Sequence, residues 1–138
     1  MISIDYEPLA HPPNYVKSAR NAMPVGRRAA ELLQNLIDVS GAAPEDFHGI
    51  GVSLGGQVMG GLGHAMKGGM NRITALDPAG ESEVKVPALS IMGLFSLYAG
   101  PMFHTSLTTD AEKLTPDDAE LVDVIHSGGR WIGMDGVV

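Results

Sequence analysis

The residues most capable of chemistry lie in one stretch, Gly49-Ile50-Gly51-Val52-Ser53-Leu54-Gly55-Gly56. Two chemistries compete for it. In the first, Gly51, Ser53 and Gly55 form G-x-S-x-G, a sharp strand-to-helix turn that holds a serine in strained backbone geometry above a sheet. Ser53 is then a nucleophile, Gly51 and Gly55 keep side chains from clashing, and the Leu54 backbone N–H, at a helix start, points at a developing oxyanion. In the second, Gly49, Gly51 and Gly55 make a loose dinucleotide fingerprint, with Asp77 where a ribose-binding acid would sit. That pattern departs from G-x-G-x-x-G by one residue and leaves Ser53 without a role. A third reading gives the glycines only the task of letting a helix pack closely on a strand.

Either chemistry needs a strand before the turn and a helix after it. The period of the apolar residues predicts the order β-α-β-α-β, with no internal repeat. Ile2 to Tyr6 alternates like a strand. Val25, Ala29, Leu32, Leu33, Leu36 and Ile37 then form one helical stripe, with Pro24 suited to a first helical position and Gly41 with Pro44 as the stop. Phe47 to Val52 predicts the strand that enters the turn, and Leu54 to about Met66 the helix that leaves it. Gly56, Gly60 and Gly63 fall on one side of that helix, each costing about 1 kcal/mol relative to alanine. Close approach of the helix backbone to a sheet would offset this. Arg72 to Asp77 and Leu121 to His126 read as further strands, the last preceded by a helix-entry signal at Thr115, Pro116 and Asp118. Strands separated by helices predict an α/β fold with a mostly parallel sheet.

Composition narrows the function. The 138 residues carry 9 Lys+Arg against 16 Asp+Glu, a net charge of −7, so nothing attracts a phosphate backbone and nucleic acid is excluded as a partner. With 44% hydrophobic and 18% charged residues the chain is globular and of one domain or part of one. Without cysteine there is no disulfide framework and no thiolate metal site. Val86 to Phe103 is an uncharged run of 18 residues, but Pro87, Gly93, Gly100 and Pro101 interrupt it, so no transmembrane segment is expected. No signal peptide is visible at the N-terminus. Oligomeric state is not legible.

In order along the chain, ISIDY, ELLQNLI, GVSLGGQVMGGLG, NRITALDPAG and LTPDDAELVDVIHS resemble the pancreatic lipase family. The resemblance covers most of the chain outside Glu81 to Ala99. It implies an α/β-hydrolase-like fold, incomplete at both ends, so that residues 1–138 are an internal part of a lipase domain. It also implies carboxylic ester hydrolysis of acyl lipids, either triacylglycerol or the sn-1 ester of phospholipids, by a secreted protein acting at a lipid–water interface. Carried over by motif, Ser53 is the nucleophile and Asp77 of LDPAG is the acid of a Ser-Asp-His triad. An acid ending the next strand can orient an imidazole placed against Ser53.

The histidine is where the carry-over stops. His126 follows Asp77 in chain order, yet in the family DVIHS is a strand motif and the catalytic histidine lies downstream, in a loop this chain does not reach. His11, His48, His64 and His104 match no catalytic motif. With the base, the upstream oxyanion donor and the lid all outside it, the chain on its own is expected to be inactive. The alternative from another class is a non-catalytic lipid-binding or yolk-type relative, and the dinucleotide reading stands third.

Two departures from the family pattern remain. Glu81 to Ala99 reads as an insertion of about 19 residues or a translated intron. Asp110 to Asp118 resembles the family's calcium loop, with Asp110, the Lys113 carbonyl and Asp118 at matching positions. Thr115 stands where an aspartate is usual, removing a charged ligand, and helix capping by Thr115 and Asp118 competes with metal binding. No cofactor is required by the chemistry, and calcium is the one the resemblance suggests.

Overall fold

The computed structural model describes residues 1–10, 15–79 and 113–127. Three strands, β1 (His48–Val52), β2 (Arg72–Leu76) and β3 (Leu121–Ile125), form a parallel sheet in the order β1-β2-β3. The register pairs Val52 with Leu76 and Leu76 with Ile125, so all three strands end on one line. Two helices, α1 (Tyr15–Ser40) and α2 (Leu54–Ala65), complete the regular structure. The α/β architecture read from the periodicity is present.

α1 departs from its expected start. Pro24 lies inside it rather than at its first position, because the helix has already run from Tyr15. A proline there removes one helical hydrogen bond, and tertiary packing offsets the loss, since Ala19, Ala22 and Met23 in that added stretch are all buried. The buried stripe continues through Val25, Ala29, Ala30 and Leu33, while Leu32 faces outward. Gly41 ends the helix as expected, with a left-handed φ of 73° and its N–H on the Ile37 carbonyl at 2.9 Å.

The two helices cross backbone to backbone. A Cβ on Gly26 of α1 would lie 2.3 Å from the Val58 carbonyl oxygen of α2. On the other side of α2, a Cβ on Gly60 would lie 2.6 Å from the Leu114 backbone, and one on Gly63 would lie 2.3 Å from the Asp118 carbonyl oxygen. The close approach predicted for these glycines is therefore made chiefly to the segment that leads into β3. The sheet and its end are met by Gly56, whose Cβ would lie 3.4 Å from Ala75 and 2.8 Å from Pro78, and by Gly63, whose Cβ would also lie 2.7 Å from the Ile73 side chain. Thr115, Pro116 and Asp118 form a single 3-10 turn before β3 and start no helix.

Ile2 to Tyr6 is not a strand of this sheet. Its alternation fixes burial, with Ile4 and Tyr6 packed against the core and Ser3 and Asp5 exposed. Strand pairing additionally needs the backbone to reach the edge of β1, and a cavity of about 820 Å³ lies along that edge, lined by Ile2, Ile4, Leu33, Gly49, Gly51 and Met59 among others. The turn that follows it, Glu7–Leu9, is tethered to α1, where the Asn21 side-chain amide donates to the Leu9 carbonyl at 2.8 Å.

One face of the sheet packs on α2 through Ile73 and Ala75, both buried. The other presents Ile50, Val52, Leu121 and Ile125 to solvent. A polar chain crosses this outer face. His48 Nε2 and the Thr74 hydroxyl are 2.8 Å apart, that hydroxyl donates to Asp123 Oδ1 at 2.9 Å, and Arg72 grips Asp123 with two bonds of 2.8 and 2.9 Å. The Arg72 guanidinium above all, assisted by Thr74, outweighs desolvation and holds the Asp123 carboxyl down at about 2. Among the described residues no helix is long and apolar enough to cross a membrane, and Val86 to Phe103 lies outside them, as does Glu81 to Ala99.

Candidate active site

β1 ends at Val52 and α2 begins at Leu54, so Ser53 alone makes the turn between them. Its backbone sits at φ 52° and ψ −121°. A residue with a side chain enters such a region at a cost of about 1–3 kcal/mol, and only where its surroundings dictate it. Here hydrogen bonds to the end of β2 and to the first turn of α2 do so. The Ser53 N–H donates to the Leu76 carbonyl at 2.9 Å, and the Ser53 carbonyl accepts from the Gly56 and Ala79 N–H groups at 3.0 and 3.1 Å.

Gly51 is required by this turn, because a Cβ there would stand 2.1 Å from the Gly55 carbonyl oxygen. Gly55 is different: a Cβ would meet nothing within 4 Å, so space alone does not demand glycine at that position. Leu54 is the first residue of α2, so its N–H has no acceptor one turn earlier in the helix and lies at the positive end of the helix dipole.

Asp77 follows β2 as Ser53 follows β1. It too has a left-handed backbone, at φ 41°. Its N–H donates to the Ile125 carbonyl at 2.8 Å. Its carboxylate is held by one residue beyond β3: the Ser127 N–H donates to Oδ1 at 2.6 Å, and the Ser127 hydroxyl donates to Oδ2.

The register explains what this row of strand ends can do. Because Val52, Leu76 and Ile125 are partners, Ser53, Asp77 and His126 leave the sheet side by side in that order. A general base must lie between nucleophile and acid, but His126 lies beyond the acid, its backbone about 10 Å from that of Ser53 at two strand spacings. Its Nδ1 is buried and has no hydrogen-bond partner. The His48 ring is engaged by Thr74. His64 is exposed in the last turn of α2, at the far end of that helix from Ser53. His11 and His104 lie outside the described residues. The described residues thus bring Ser53 and Asp77 onto adjacent strand ends and place no imidazole between them.

A family model described as Lipase matches residues 1–94. The chain belongs to the lipase family. Over 129 residues, 92% of the chain, it is 35% identical to the hepatic triacylglycerol lipase of Oryctolagus cuniculus. It is 33% identical over 118 residues, 86% of the chain, to the pancreatic triacylglycerol lipase of Myocastor coypus, and 36% identical over 110 residues, 78% of the chain, to lipase member H of Mus musculus. These matches cover 21%, 21% and 20% of the relatives, so the chain spans about a fifth of their length. Membership of the lipase family takes away the support of the dinucleotide reading of Gly49, Gly51 and Gly55.

In this lipase chain the stretch that resembles a calcium loop is only partly described, since Asp110 lies outside the described residues. Asp118 is buried at 3% exposure, and its Oδ2 accepts from the Thr115 N–H at 2.7 Å, closing a capping box over the Pro116–Asp118 turn. Burial pushes its carboxyl up, against the pull of the Thr115 bonds and of nearby His64. Among the described residues no three His, Cys, Asp or Glu side chains gather into a metal site. Among the described residues Asp118 serves as the cap of this turn.

Two residues of the candidate site carried no signal in the sequence. Ser127 is one. Gln57, 2% exposed on α2, is the other: its amide N–H donates to the Ala79 carbonyl at 2.5 Å, and its Oε1 accepts from the Leu114 N–H at 3.1 Å. It ties the backbone just after Asp77 to the backbone that leads into β3. Both roles exist only once β2 and β3 are paired, so no local pattern announces them.

Proposed function

We propose that the protein carrying this chain is a carboxylic ester hydrolase of acyl lipids. Ser53 is its nucleophile, and Asp77 is the acid that orients an imidazole supplied from outside this stretch. The observation that carries the reading is the strained backbone of Ser53 at a strand-to-helix turn, with Asp77 on the adjacent strand end. A non-catalytic lipid-binding relative would have no use for that strain.

In the acylation step the Ser53 Oγ attacks the ester carbonyl carbon while its proton passes to the imidazole. The carbonyl oxygen becomes an oxyanion that accepts the Leu54 N–H, reinforced by the dipole of α2. Asp77 stabilises the imidazolium, which then protonates the departing alcohol. Water attacks the acyl-serine by the same route in reverse roles, releasing the fatty acid and restoring Ser53. Similarity to hepatic and pancreatic triacylglycerol lipases favours triacylglycerol as substrate, and family membership favours action outside the cell at a lipid–water interface.

The test is hydrolysis of emulsified triacylglycerol and of phospholipid by the full-length protein and its Ser53→Ala variant. We expect the wild-type protein to release fatty acid from at least one substrate, and the variant to lose about a thousandfold or more in kcat. A wild-type protein that hydrolyses neither, or a variant that keeps its rate, overturns the proposal.

A further inference from the structure

We infer that Ser127 is a positioning residue for Asp77, setting the plane in which the carboxylate meets the imidazole. The inference rests on the ester-hydrolase reading of Ser53 and Asp77. It comes from the geometry of two strand ends. Asp77 is only partly buried, and its left-handed backbone projects the side chain off the end of β2. A carboxylate so placed is free to rotate unless both oxygens are held.

Ser127 holds both. Its N–H serves Oδ1 at 2.6 Å and its hydroxyl serves Oδ2, while the Asp77 N–H returns a bond of 2.8 Å to Ile125 two residues earlier. Three hydrogen bonds thus close a ring between the ends of β2 and β3. Two of them are charge-assisted and come from a single residue, which fixes the carboxylate plane as well as its position. A carboxylate oxygen accepts more than one hydrogen bond, so the bonds from Ser127 do not by themselves exclude one from an imidazole N–H. On this account the end of β3 takes part in catalysis through Asp77 without touching substrate.

A purely architectural role, sealing two strand ends, would leave the same hydrogen bonds. The test therefore compares Ser127→Thr with Ser127→Val in the full-length protein, since the two side chains share a shape and only threonine keeps the hydroxyl donor. The kcat values are taken per active site titrated with a fluorophosphonate, so that unfolded molecules are not counted. Both variants retain the backbone N–H, so the loss is partial. We expect valine to turn over about tenfold slower than threonine with KM matched within about twofold, the effect of one hydrogen bond to a charged group. We also expect the acid limb of its kcat/KM profile to move to lower pH, because an imidazolium facing a misoriented carboxylate loses its proton more readily. Equal kcat and equal acid limbs for the two variants overturn the inference. Ser53→Ala and Asp77→Asn are measured alongside: if both keep hydrolysis, the ester-hydrolase reading fails. If both abolish it while threonine and valine agree, only the role of Ser127 fails.

Discussion

At the rim of the sheet, Ser53 and Asp77 both hold left-handed backbone, and they are two of the three non-glycine residues with positive φ among those described. Three to five residues back along the strands, His48, Thr74, Arg72 and Asp123 lie within regular parallel strands and satisfy one another across the outer face. The two regions share strands, register and a carboxylate with good donors, yet they spend their hydrogen bonds differently. On the outer face the bonds join side chains that a regular ladder already aligns. At the rim they hold backbone in conformations it would otherwise leave. Strain supported by neighbouring strand ends marks the region where chemistry is proposed, and a relaxed polar chain marks one that only ties strands together.

The contrast breaks most sharply at Asp77. Asp77→Asn keeps the shape of the side chain, removes its charge, and is expected to lower kcat on lipid esters by about ten thousandfold with little change in melting temperature. Next in size is Gly51→Ala, which drives a Cβ into the Gly55 carbonyl. Denaturant titration is expected to show a loss of about 3 kcal/mol or more, accompanied by loss of the serine's reactivity toward a fluorophosphonate. Gln57→Leu keeps the buried volume while orphaning the Ala79 carbonyl and the Leu114 N–H. It is expected to cost about 2 kcal/mol in the same titration.

The smallest effect belongs to the outer face. The Asp123 carboxyl is held down at about 2 in the folded protein, so its contribution is present above the ordinary carboxylate range and is lost as pH falls from about 4 toward 2. Arg72 and Asp123 are substantially exposed, at 44% and 25%, which screens the pair. Asp123→Asn is therefore expected to lower stability at pH 7 by less than about 1 kcal/mol and to flatten the acid limb of a melting-temperature profile. Lipid hydrolysis should not respond. A large loss of hydrolysis in this variant would erase the distinction between rim and face.

What was legible in the sequence follows the same division. The turn at Gly51, Val52, Ser53, Leu54 and Gly55 is local, so its spacing names it before any fold is known, and the strands read over Arg72 to Asp77 and Leu121 to His126, from apolar runs bounded by turn residues, are present one residue shorter at Arg72–Leu76 and Leu121–Ile125. The start of α1 was not legible, because Pro24 argues for a helix start and only burial of Ala19, Ala22 and Met23 in the folded chain argues otherwise. Ile2 to Tyr6 shows the opposite failure. Alternation set which side chains turn inward but said nothing about whether β1 would accept a partner. Ser127 and Gln57 lay beyond reach for one reason: their partners are 50, 22 and 57 residues away in the chain, and only the pairing of β2 with β3 and the packing of α2 bring them close.

The Gln57 side chain has a consequence for how such a chain can change over generations. By bonding Ala79 with one end and Leu114 with the other, it fixes both feet of the connection between β2 and β3 on α2. Once the feet are fixed, the entropy of closing the connection grows only with the logarithm of its length, and doubling that length costs about 0.6 kcal/mol. Residues can therefore be gained or lost between them at little thermodynamic penalty, while the spacing of Ser53 and Asp77 is left alone. The place where an extra stretch from Glu81 to Ala99 was read in the sequence is a place where the architecture tolerates one.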